Sequence, residues 1–180
     1  MAETVRVVVD AMGGDNAPAE PVKAAVEAVT EREDIDVILT GRQDVIENEL
    51  GKFQNYPKER IRIVNTTEVI ETAEPPVMAI RKKKDSSISK GMRMLKEGEV
   101  DAFISGGSTG ALLSAGLLIL GRIRGIKRPA IAAFFPKIGM NDTSLILDCG
   151  ANAESRPEYL LQYGIMGSIF VEKVKGIENP

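Results

Sequence analysis

Three short segments collect residues able to do chemistry: Asp10-Ala11-Met12-Gly13-Gly14-Asp15-Asn16, Ser105-Gly106-Gly107-Ser108-Thr109-Gly110 and Asp148-Cys149-Gly150-Ala151-Asn152. Each places glycines and small polar residues between an apolar, strand-like run and a helical pattern. In open α/β sheets such turns lie at the carboxyl edge, where ligands bind, and the following helix start offers unpaired N–H groups to an anion. The chemistry this implies is an oxyanion or phosphate pocket. Any one segment reads equally well as a tight turn followed by a helix cap. The threefold recurrence is what points to a ligand. No Gly-Lys-Ser/Thr follows any of them and none is G-x-G-x-x-G, so phosphate binding is the expectation rather than nucleotide binding.

The absent residues narrow the mechanism. With no histidine in the chain, a Ser-His or Cys-His nucleophile is excluded and a transition-metal site is disfavoured. No metal or cofactor is called for. Cys149 is the only cysteine, so no disulfide closes within the chain, which fits a reducing cytosol. It reads as a small buried apolar residue. Arg81-Lys82-Lys83-Lys84 is the concentrated basic run. It is either a solvated helix end suited to the negative dipole or a docking patch for an acidic partner. Met92 and Met94 read as core and surface filler.

The elements that must position these residues alternate. Residues 5–10 form a β-branched run, and Val22, Ala25, Val26 and Val29 mark one helical face. Strands are expected at 35–39, 61–64 and 102–105, with helices at 44–50, 77–83 and from Ile88 through Leu95 to a stop at Gly98. Paired prolines make 71–76 a surface loop. Residues 109–123 read as one apolar helix, buried on most sides. Strands at 130–135 and 144–147 are separated by too few residues for a parallel crossover and should form an antiparallel hairpin. A last amphipathic helix is expected from Pro157 to about Val174, with Ser155 and Glu158 in capping-box spacing. The pattern is that of a single α/β domain over 1–180, mainly parallel with an antiparallel part.

Composition agrees. The chain's 180 residues are 43% hydrophobic and 27% charged with a net charge of −3, which suits a folded core and argues against nucleic acid as a partner. The longest apolar stretch, 111–120, falls well short of the roughly 20 residues that span a bilayer. The N-terminus has no basic n-region, so no signal peptide is expected.

Residues 9–18 resemble the opening signature of the phosphate acyltransferases of bacterial phospholipid synthesis, the PlsX family. Further segments follow in that family's order: 68–71, 79–87, 104–111, 121–129, 148–152 and 162–167. Two departures stand out: Ser108 replaces the family's usual asparagine, and family chains are nearly twice as long. The resemblance implies a three-layer α/β/α sandwich like that of phosphotransacetylases and isocitrate-dehydrogenase-like enzymes. It also implies cytoplasmic transfer of a fatty acyl group from acyl-carrier protein to inorganic phosphate, without metal or covalent intermediate. Gly13, Gly14, Gly107 and Gly110 are then expected as backbone donors, and Asn16, Ser108, Thr109 and Asn152 as side-chain contacts. Asp10 and Asp15 organise the loop and, with Asn16, form the catalytic set. Arg81 to Lys84 would dock the carrier protein. The longer family chain is expected as a homodimer with peripheral membrane association through its C-terminal half. The alternatives are a phosphotransacetylase-like enzyme using acyl-CoA and a non-catalytic phosphate-binding fragment.

Overall fold

In a computed structural model, the structure describes residues 4–138, 143–152 and 154–180. The chain divides into two compact units, one ending at Gly121 and one running from Arg122 to Pro180.

The first unit carries β1 (Val5–Asp10), α1 (Ala19–Glu31), β2 (Ile35–Gly41), α2 (Gln43–Leu50), β3 (Ile61–Asn65), α3 (Pro76–Lys82), α4 (Ser87–Lys96), β4 (Ala102–Ile104) and α5 (Thr109–Ala115). Its four strands are all parallel, in the order β3-β2-β1-β4. Because side chains alternate across a strand, each strand serves both faces. On one face Val37 and Leu39 of β2 meet Val22, Ala25 and Val29 of α1 and Ile46 of α2. On the other, Val8 of β1 and Ile38 of β2 meet Met94 of α4. Helices α3 and α5 join that layer through Ala79, Ile80, Ala111 and Ala115. The result is helix, sheet, helix.

The four apolar positions spaced along α1 are all buried, and each valine there is worth about 1.5–3 kcal/mol. A single Val22→Asp change would bury an unpaired charge against β2. Gly91 is what lets α4 lie close to the sheet, since a Cβ there would come within 2.7 Å of the Phe103 ring.

In the second unit, β5 (Ala132–Pro136) and β6 (Thr143–Leu147) pair antiparallel, with Ala132 opposite Leu147. The antiparallel pairing is the one expected; residues 139–142 lie outside the described residues. Helix α6 (Pro157–Lys175) packs on this pair through Gly167, where a Cβ would sit 2.6 Å from Leu147, and buries Tyr163. Phe170 and Phe134 add a ring contact at 5.9 Å.

Several expectations are corrected. The helix after β4 is not one buried rod over 109–123. It ends at Ala115, loosens into a π-helical turn (Gly116–Leu120), and stops at Gly121, whose φ of +90° favours glycine. Leu118, Leu120 and Ile123 are exposed. The α6 N-cap is Arg156, with no side-chain cap bond, so the Ser155 and Glu158 spacing does not form a capping box. Cys149 is exposed rather than buried, and Met92 and Met94 are both core.

Candidate functional site

The strand order reverses direction at β1, with β2 on one side and β4 on the other. At such a switch point the loops leaving two neighbouring strands diverge above the sheet and open a crevice. Here those loops are residues 11–18 and 105–108. They are locked together by residues far apart in sequence. The Ser105 hydroxyl donates to Asp10 Oδ2 at 2.7 Å and accepts from the Gly107 N–H at 3.1 Å, while the Met12 N–H donates to Asp10 Oδ1 at 3.0 Å. Asp10 is buried, so these bonds supply the partners a desolvated carboxylate requires.

The glycines make this contact possible. A Cβ on Gly13 would lie 2.5 Å from Asp10 Oδ2, 2.8 Å from Gly107 N and 2.9 Å from Ser105 Oγ. Gly14 has φ +109° and packs over Gly106. Gly110 takes the ring of Pro76, 2.7 Å from where its Cβ would be. The expected backbone donors therefore part company. Gly13 and Gly107 are the seam between the loops, and the Gly107 N–H is already spent on Ser105. The N–H groups of Gly14, Asp15 and Asn16 have no acceptor among the described residues. Those of Thr109 and Gly110 open α5 and have no intrahelical acceptor. Ser108 is the α5 N-cap, its hydroxyl accepting from Ala111 N–H at 3.3 Å.

Gly13, Gly14, Asp15, Asn16 and Gly106 form one end of a cleft of about 680 Å³. From there it runs along the sheet between β1, β4 and α1, past Val7, Val9, Ile104, Ala24 and Ala28. The charge in its lining is negative: Asp10, Asp15 and Glu20, with no Lys or Arg. An anion at the loop end would be held by backbone dipoles against nearby carboxylates.

The third loop follows β6, which belongs to the two-stranded ribbon and not to the four-stranded sheet. Three loops on one sheet edge thus become two, with the third in the second unit. There Asp148 accepts from the N–H groups of Ile131, Ala151 and Asn152 and from Asn152 Nδ2 at 2.8 Å. Burial pushes the Asp148 carboxyl up, but the bonds from Asn152, Ala151 and Ile131 outweigh it and hold it below the usual range. The Asn152 amide also donates to Pro129 O at 3.1 Å and meets the Tyr163 hydroxyl at 3.0 Å. Both of its hydrogens are committed, which leaves Oδ1 as the polar atom Asn152 can offer. Burial, with the Asp148 charge, raises the Tyr163 phenol.

The basic run also divides. Lys83 turns inward, donating to Val69 O at 2.6 Å and to Glu74 Oε1 at 2.5 Å, whereas Arg81, Lys82 and Lys84 are exposed. Just after it, Asp85 receives Lys90 Nζ at 2.7 Å and both the hydroxyl and N–H of Thr67; these bonds hold its carboxyl down at about 2. Sequence reasoning missed Ser105 and Tyr163 as site-building residues. Ser105 sits inside a motif that was visible, but its partner is 95 positions away.

Fold and site together define a parallel α/β protein with a glycine-lined crevice at its switch point. The chain belongs to the family described as fatty acid synthesis protein, which it matches over residues 5–180. Its relatives include phosphate acyltransferases of Alkaliphilus oremlandii, 53% identical over 98% of this chain and 51% of that protein, and of Halothermothrix orenii, 48% identical over 98% and 52%. The chain spans about half the length of these relatives. Among solved structures, the EutD phosphotransacetylase from Staphylococcus aureus shares the fold, with a TM-score of 0.67 and 19% identity over 93% of this chain and 53% of that one. Among the described residues no helix is long and apolar enough to cross a membrane.

Proposed function

We propose that this chain forms part of a cytoplasmic acyltransferase that moves a fatty acyl group from acyl-carrier protein to inorganic phosphate. The observation that carries this reading is the crevice between the β1 and β4 loops, with free N–H groups of Gly14, Asp15 and Asn16 at one end and an apolar wall along the rest. A phosphate oxygen attacks the thioester carbonyl carbon; the tetrahedral oxyanion collapses, the C–S bond breaks, and the carrier thiolate leaves and takes a proton from water. Phosphate is its own nucleophile, so the protein's work is positioning and oxyanion stabilisation. That suits a chain without histidine.

In this reading Asn16 and Asp15 stand at the rim beside the reacting groups, and Asp10 holds the loop. Thr109 and Gly110 add donors from the start of α5. The cleft's three carboxylates leave phosphate without a counter-charge, which makes this chain alone a weak binder and a poor catalyst. The exposed Arg81 and Lys82 at the end of α3, with Lys84 just beyond it, are the cations there that could meet an acidic carrier protein. The longer chain is taken to be a homodimer that touches the membrane peripherally. The test is acyl-phosphate formation by this chain, and by a version extended with the C-terminal half of the Alkaliphilus oremlandii relative, using acyl-carrier protein and acyl-CoA as alternative donors. Activity in the extended protein with the carrier thioester, and far less in this chain, is the expected result. Equal activity in both chains places a complete site within these residues, and preference for acyl-CoA favours a phosphotransacetylase-like reaction.

A further inference from the structure

Residues 122–128, Arg-Ile-Arg-Gly-Ile-Lys-Arg, put four cations into seven positions of a chain whose net charge is −3. They form the segment leading into β5, within the second unit. The segment is built rather than loose. Ile126 N–H closes a turn on Ile123 O at 3.0 Å, and Gly125 adopts φ +91°. Arg122 Nη1 donates to Lys127 O at 2.7 Å. Gln162 of α6 then clamps the loop from both sides, accepting from Lys127 N–H at 2.9 Å and donating to Gly125 O at 3.0 Å. Lys127 Nζ lies 3.3 Å from Glu158 on the same helix.

The loop surrounds a shallow hollow of about 460 Å³, and Arg122, Arg124, Lys127 and Arg128 are all exposed. Exposed cations spread over a fixed loop do not enclose a lone anion in a desolvated pocket. They act best when summed over a broad acidic surface, where they speed encounter and set orientation. Ile123, 75% exposed between two of the arginines, offers an apolar contact at the centre of such an interface. No aromatic residue lies in the loop, so it lacks the stacking platform a single-stranded nucleic acid uses.

We infer that the clamped loop 122–128 is a docking surface for the acidic face of a protein partner, which on the reading above is acyl-carrier protein. Because Gln162 fixes the backbone in advance, docking spends little free energy on ordering the loop.

The experiment measures binding of acyl-carrier protein to this chain by fluorescence anisotropy across a salt series. Arg124→Glu should weaken binding about tenfold at low salt and flatten the salt dependence. Arg124→Gln should fall between that and the unchanged chain. Gln162→Ala, which removes the clamp without altering charge, should weaken binding less than Arg124→Glu, and Lys84→Glu, just beyond the end of α3, provides the comparison. Thermal melts confirm that each variant folds. Carrier binding that is unchanged by Arg124→Glu, or lost only with Lys84→Glu, overturns the loop assignment and leaves the acyltransferase reading intact. No carrier binding at any salt concentration overturns the docking assignment, while the acyltransferase reading is decided separately by the acyl-phosphate assay of the extended protein.

Discussion

Replacing Gly13 by alanine adds one methyl group where the two loops touch. Its Cβ would stand 2.5 Å from Asp10 Oδ2, 2.8 Å from Gly107 N and 2.9 Å from Ser105 Oγ. The two side chains could swing aside, but doing so breaks the 2.7 Å bond from Ser105 to a buried carboxylate. Gly107 N is backbone and moves only with its loop. Overpacking of this kind costs about 1–3 kcal/mol, and a hydrogen bond to a charged group is worth about 1.5–3 kcal/mol. Since relief of one worsens the other, the expected loss is about 2–4 kcal/mol. With a urea m-value of about 2 kcal/mol/M, the unfolding midpoint should fall by about 1–2 M. Gly116→Ala is the control, because nothing lies near its Cβ and its backbone is helical; it should stabilise by up to about 1 kcal/mol. Phosphate affinity, read by calorimetry, should fall with Gly13→Ala and stay unchanged with Gly116→Ala. A Gly13→Ala protein that unfolds within about 0.5 kcal/mol of the parent and binds phosphate equally well would refute the interlocked-loop argument.

Ser105→Ala removes the link between Asp10 and Gly107 without adding bulk; urea unfolding should show a loss of about 1–3 kcal/mol. The Asp85 carboxyl is held at about 2 by Lys90 and Thr67, against an ordinary 3.8. Its folded value is therefore depressed, and its contribution is complete above pH 3.8 and lost as pH falls toward about 2. Thermal melts of the parent and of Asp85→Asn should differ at neutral pH and converge across that window. Asn152→Leu strips Asp148 of its side-chain donor and should cost about 1–3 kcal/mol, whereas Tyr163→Phe leaves the Asp148 and Pro129 bonds in place and should cost less in the same unfolding assay.

Much of this protein was legible in its residue order, because local patterning obeys local physics. The β-branched run at 5–10 is β1 as expected, and the four spaced apolar residues of α1 are the four that are buried. The hairpin followed from connection length alone, since so short a link cannot cross over a sheet. Its partners duly run antiparallel. The glycine-rich turns were also visible, as the residue types that let one stretch of backbone approach another.

The division of labour within those turns was decided by tertiary structure. Which loops meet depends on the strand order β3-β2-β1-β4, and nothing in the sequence around Asp10 announces that its partner is Ser105. Two adjacent glycines, Gly13 and Gly14, look alike in sequence, yet one fills a seam that admits no side chain while the other faces the cleft at φ +109°. The segment 148–152 is likewise a glycine-containing turn after a strand, but that strand belongs to a separate two-stranded ribbon. Lys83 and Lys84 are neighbours with one charge each; Glu74 and Val69 draw the first inward and leave the second exposed. Patterning sets which residues can turn, pair or bury. Contact between segments distant in sequence sets which of their groups remain free to meet a ligand.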